Sequence, residues 1–129
     1  MNIQVIKKLN IEYPKSFVIL GCYYSKDEKN IYYKDLKIND ADMNSFTVLD
    51  WGYAKDKFRV YFYNIVINGA DPDSFEILMN DDYSKDKKSV YYMGSIIQEA
   101  VPESFVTLED GEAKDTGGRY LNGKKIKAF

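Results

Sequence analysis

The sequence predicts a mainly β protein, a β-rich α+β array of stacked antiparallel hairpins and one-turn helices, solenoid-like in organisation. Three observations carry this. The pair Ser-Phe recurs at Ser16-Phe17, Ser45-Phe46, Ser74-Phe75 and Ser104-Phe105, in steps of 29, 29 and 30 residues. Lys-Asp keeps the same beat at Lys26-Asp27, Lys55-Asp56, Lys85-Asp86 and Lys114-Asp115. Composition agrees, since aromatic residues make up 16%, with twelve tyrosines and three prolines, a balance that suits strands. A fixed period in this range marks an array in which each unit buries its apolar face against its neighbours.

The 129 residues form a single repeat domain, long enough for a shared core. Anchored on Phe and Lys-Asp, the units are 12–40, 41–69, 70–99 and 100–129, preceded by a cap over 1–11. Lys7-Lys8-Leu9 sits where Lys124-Lys125-Ile126 sits in the last unit, so the cap reads as the end of a preceding repeat.

Each unit opens on a short helical signal. Asp71-Pro72-Asp73-Ser74 places an N-cap Asp before a Pro at the first helical position. Val101-Pro102-Glu103-Ser104 and Asp42-Met43-Asn44-Ser45 are variants. Phe-x-x-Leu follows (Phe17/Leu20, Phe46/Leu49, Phe75/Leu78, Phe105/Leu108), a spacing that suits one side of a helical turn, or a short strand. A Tyr-x-Lys-Asp strand then enters a polar turn, and a Val-Tyr-Tyr-like strand leaves it. Asn122-Gly123 supplies a two-residue hairpin turn in the last unit.

Strand alternation assigns faces. Ile31/Tyr33, Val60/Phe62 and Val90/Tyr92 belong to the core. Tyr32, Tyr61, Tyr91 and Tyr120 fall on the opposite side beside polar neighbours, as a stripe with solvated hydroxyls. Asp27, Asp56, Asp86 and Asp115 each open a turn, where a carboxylate accepts backbone N–H bonds.

Lys85-Asp86-Lys87-Lys88-Ser89-Val90-Tyr91-Tyr92 and Ala70-Asp71-Pro72-Asp73-Ser74-Phe75 resemble the bacterial DKNYY repeat family. The resemblance runs from about Glu12 onward and weakens at Lys114-Asp115-Thr116-Gly117-Gly118-Arg119-Tyr120. It implies a repeat architecture and brings no catalytic residues with it.

Composition excludes several chemistries. There is no histidine, which removes Ser-His-Asp and Cys-His catalysis and the commonest transition-metal ligand. Cys22 is the single cysteine, so neither a zinc site nor a disulfide framework forms within the chain. Acidic runs at Asn80-Asp81-Asp82 and Glu109-Asp110-Gly111-Glu112 lack the spaced ligands of a calcium loop, and no carboxylate pair carries a glycosidase signature. No enzyme, cofactor or metal is expected. Eighteen basic and twenty acidic residues argue against direct nucleic-acid binding, and nothing in the chain reads as a membrane segment. The expectation is a cytoplasmic monomer or weak homodimer.

Function can enter where the repeats disagree. Unit 41–69 replaces polar residues with apolar ones: Phe58 stands where Lys29 and Lys88 stand, and Trp51 where Cys22, Asp81 and Asp110 stand. Trp51, Phe58 and Tyr63, with Arg59 as a polar companion, form the expected surface for another protein. The function expected is a non-enzymatic binding module, a small inhibitor of a bacterial nuclease or toxin of the anti-CRISPR or immunity type. The alternative is carbohydrate or cell-wall binding on the stripe of Tyr32, Tyr61, Tyr91 and Tyr120.

Overall fold

A computed structural model describes residues 11–80 and 82–129. The cap expected over 1–11 therefore lies outside the described residues, apart from Ile11. The chain divides into two compact units, the first ending at Ile65 and the second starting at Val66.

The described fold is almost wholly β. The first sheet is a meander of β1 (Val18–Gly21), β2 (Tyr24–Lys26), β3 (Ile31–Tyr33) and β4 (Leu36–Ile38). Next come β5 (Thr47–Val48), β6 (Tyr53–Lys55), β7 (Val60–Phe62) and β8 (Ile65–Val66). The third contains β9 (Glu76–Ile77), β10 (Tyr83–Lys85), β11 (Val90–Tyr92) and β12 (Ser95–Ile97). The last contains β13 (Val106–Thr107), β14 (Glu112–Asp115), β15 (Gly118–Leu121) and β16 (Lys124–Ala128). Every described repeat is thus four strands, where the sequence marked two around the polar turn and a further one after Asn122-Gly123 in the last unit.

The central hairpins share one register. Lys26 pairs with Ile31, Lys55 with Val60, Lys85 with Val90 and Lys114 with Arg119. Tight turns join the strands, and the first central residue of the turn before the fourth strand has positive φ in every repeat: Lys34, Tyr63, Met93 and Asn122. Such turns match the right-handed twist of the strands they join.

The expected helices shrink to turns. Among the described residues, only Pro14–Ser16 forms a 3-10 turn. In the last repeat, Ser104 N–H donates to Val101 O and Phe105 N–H to Pro102 O, the same bonds that close the first turn without a helix. Two bonds cannot repay the cost of nucleating an α-helix, and the next residue is already extended: Phe17 has φ −67° and ψ 128°. Phe-x-x-Leu accordingly leads into the first strand of each repeat instead of a helical face.

Aromatic clusters among the described residues form the interior of each unit. In the first unit Tyr24, Tyr33, Ala54 and Tyr61 are buried, with Phe46 and Val48 packed on them. The second centres on Tyr83, Val90, Ile97, Phe105, Ala113 and Tyr120. Ring contacts are edge-to-face, such as Tyr24 on Phe46 at 5.6 Å and Tyr83 on Tyr92 at 5.0 Å, or tilted, such as Phe105 on Tyr120 at 5.4 Å, arrangements that the aromatic quadrupole favours over face-to-face stacking. No helix among the described residues is long and apolar enough to cross a membrane.

Candidate functional site

The repeated residues build one hydrogen-bonded hub per repeat. In the third, Asp86 Oδ1 accepts the N–H groups of Lys88 and Ser89, each at 2.8 Å. Its Oδ2 accepts the Tyr91 hydroxyl at 2.9 Å and the N–H of Asp71 at 2.8 Å. Asp27, Asp56 and Asp115 repeat this pattern with Tyr32, Tyr61 and Tyr120, and with the N–H groups of Tyr13, Asp42 and Val101. The repeated serine joins in: Ser16, Ser45, Ser74 and Ser104 Oγ accept the N–H of the residue after the Asp. Sequence reasoning found the local turn bonds. It missed the bond to an N–H some fourteen residues upstream, which no local pattern encodes.

Titration follows from this geometry. Burial is the largest influence on Asp86 and pushes its carboxyl up. The bonds from Asp71, Lys88, Tyr91 and Ser89 together outweigh it and hold the group below its ordinary value. Asp27, Asp56 and Asp115 are lowered for the same reason. Burial, then the Asp56 carboxylate, pushes the Tyr61 hydroxyl up to about 12.

The hubs correct the tyrosine stripe. Tyr32, Tyr61, Tyr91 and Tyr120 are among the most buried side chains, none more than 2% exposed. Both faces of these strands are covered, so alternation between core and solvent does not apply. A sugar would find no stacking platform there.

The expected protein-binding set also divides. Trp51 precedes β6 and Tyr63 follows β7, at one end of the hairpin. Phe58 and Arg59 lie in the turn at the other end, about 10 Å away across three-residue strands. Phe58 is exposed beneath the Lys57 ammonium, 5.0 Å from the ring centre, and Arg59 Nη1 donates to Asp40 O at 2.7 Å. Adjacent positions in sequence do not make these four residues one patch.

Tyr63 instead meets residues outside the expected set. Tyr63 N–H donates to Gly52 O at 2.8 Å, and its ring covers Gly52 so closely that a Cβ there would sit 2.5 Å from it. Tyr33 packs edge-on to Tyr63 at 5.8 Å and to Tyr23 at 6.4 Å. Lys34 Nζ lies over both Tyr23 and Tyr33, at 5.1 and 5.6 Å. The result is an aromatic ledge along the turn end of the first unit. Tyr23 stands 68% exposed on it, and Trp51, the chain neighbour of Gly52, is 61% exposed. A tyrosine at position 23, where the next repeat has Gly52, was the signal that could have found it.

Among the described residues, no group of three or more His, Cys, Asp or Glu side chains could hold a metal ion. Glu109, Asp110 and Glu112 line a shallow depression with Met79, Asn80 and Arg119; Asp81 lies outside the described residues.

These features define a class first: an array of four-stranded β-meanders, each locked by a buried Asp-Tyr hub. The DKNYY family model matches this chain twice, over residues 1–95 and 24–129, and the chain belongs to the DKNYY family. No curated protein and no solved structure matches it.

Proposed function

We propose that this chain is a non-enzymatic protein-binding module whose contact surface is the ledge of Tyr23, Trp51 and Tyr63. One observation carries the reading. Trp51 occupies a turn position whose left-handed φ of 64° is shared by the equivalent residues Cys22 at 50° and Asp110 at 57°, so the backbone there belongs to the repeat. Peculiar to this repeat is the indole placed on that turn and left 61% exposed. A large aromatic ring kept in solvent where other repeats carry Cys or Asp favours a contact outside the fold, and Trp and Tyr are the residues that anchor protein interfaces. The finer form, inhibition of a bacterial nuclease or toxin in the manner of anti-CRISPR or immunity proteins, rests on analogy of class. A net charge of −2 favours contact through shape and apolar surface over nucleic-acid mimicry.

The test compares proteins captured from lysate of the source organism by the native chain, Trp51→Ala and Phe58→Ala, each verified as folded. A partner held by the native chain and Phe58→Ala, and lost at least tenfold with Trp51→Ala, supports the ledge. Equal capture by all three, or loss only with Phe58→Ala, refutes it. The inhibitor form then requires the captured partner's activity to fall when the native chain is added.

A further inference from the structure

Within each unit, one repeat plugs into the next through the tyrosine of Tyr-x-Lys-Asp. Tyr24 lays its ring 5.6 Å from Phe46, and its hydroxyl donates to Gly52 O at 3.0 Å and to Tyr63 O. Tyr83 repeats this on the last repeat, with its ring 5.4 Å from Phe105 and its hydroxyl donating to Gly111 O at 2.9 Å. The same strand adds a cation, since Lys85 Nζ donates to Pro102 O at 2.9 Å.

The first repeat carries the matching socket. Phe17 stands where Phe46 and Phe105 stand, Tyr23 O where Gly52 O and Gly111 O stand, and Pro14 O where Pro102 O stands. Among the described residues, Phe17 has no aromatic ring partner. Ile19 is 63% exposed, whereas its counterparts Val48, Ile77 and Thr107 are half-buried. At the other end of the chain, the position of Tyr24 and Tyr83 is taken by Glu112. A carboxylate cannot enter an apolar socket without a partner for its charge. Among the described residues the socket is therefore unfilled, and the repeat over 100–129 lacks the tyrosine plug.

We infer that this face of the first repeat docks the Tyr-x-Lys-Asp strand of a further DKNYY-type repeat, outside the four described, whose plug tyrosine is intact. The occupant follows from the internal junctions, which show what the same surface binds when it is covered. The repeat over 100–129 does not qualify, because it offers Glu112. The inference uses the backbone oxygen of Tyr23 and not its ring, and it stands apart from the reading of the ledge.

The experiment gives this chain the missing plug. Sedimentation equilibrium over a range of concentrations compares the native chain with Glu112→Tyr. The variant is expected to self-associate head to tail at least tenfold more tightly than the native chain. Ile19→Asp added to the same variant should return it to the native level; that side chain is exposed, so the change leaves the fold intact. Glu112→Phe keeps the ring without the hydroxyl and should associate to an intermediate degree, which preserves the test if the tyrosine variant does not fold. No association above native for either variant, or association that survives Ile19→Asp, overturns the inference.

Discussion

Asp86→Asn should destabilise the protein by about 3 kcal/mol, although it preserves shape and removes only a charge and one acceptor. The carboxylate is buried and holds four donors, three of them backbone N–H groups that cannot reverse their role. The least damaging amide orientation keeps its oxygen on Lys88 and Ser89 and turns its –NH2 towards the Tyr91 hydroxyl, which can rotate to accept. The Asp71 N–H is then buried and unpaired, at about 1–3 kcal/mol. The two remaining turn bonds lose their charge assistance, about 0.5–1 kcal/mol each. For a chain of this size the sum lowers the melting temperature by about 10 °C. Tyr91→Phe removes one donor and leaves Oδ2 paired with Asp71, so it should cost about 1 kcal/mol. Urea denaturation followed by circular dichroism measures both. An Asp86→Asn cost within 1 kcal/mol of zero, or a Tyr91→Phe cost exceeding it, would refute the hub as the main lock of the repeat.

Three further outcomes follow from the same structure. All four hub carboxyls sit below their ordinary value when folded and so bind fewer protons folded than unfolded. Their stabilisation is complete above about pH 4 and is lost as pH falls through the folded values; a stability–pH profile should show this, with a shallower acid limb for Asp86→Asn. Ser84 is 0% exposed and its Oγ finds no hydrogen-bond partner among the described residues, whereas the same position holds Ala54 and Ala113. Ser84→Ala should be neutral or stabilise by about 1 kcal/mol in denaturant titration, and a loss beyond that would reveal a hydroxyl partner. A Cβ at Gly118 would lie 2.1 Å from the backbone oxygen of Lys127, so Gly118→Ala must push β15 and β16 apart. Thermal melts should register a loss of about 1–3 kcal/mol, and a native-like melt would show that the strands can shift freely.

The repeat period determined that the chain is an array, and its tyrosine-rich, proline-poor composition that the array is β. Each unit must form the same bonds, and only residues that make those bonds recur. The recurrence of Asp, Ser, Phe and Tyr is legible now as a hub and a plug, and the local part of the hub was readable because Asp and its turn N–H groups are two or three residues apart. The central hairpin was readable too, from Tyr-x-Lys-Asp and Val-Tyr-Tyr flanking a polar turn. What alternation could not convey is that a strand can be covered on both faces. Tyr61 looks like a solvent-facing residue beside Arg59 until the hub of Asp56 takes its hydroxyl. Nor could the sequence separate Phe58 from Trp51, or bring Tyr23 and Tyr33 to Tyr63, because those relations depend on which end of a hairpin each turn occupies. Local chemistry fixes bonds between near neighbours, whereas the ledge and the socket are made by packing between repeats, and only the tertiary structure decides which rings remain uncovered.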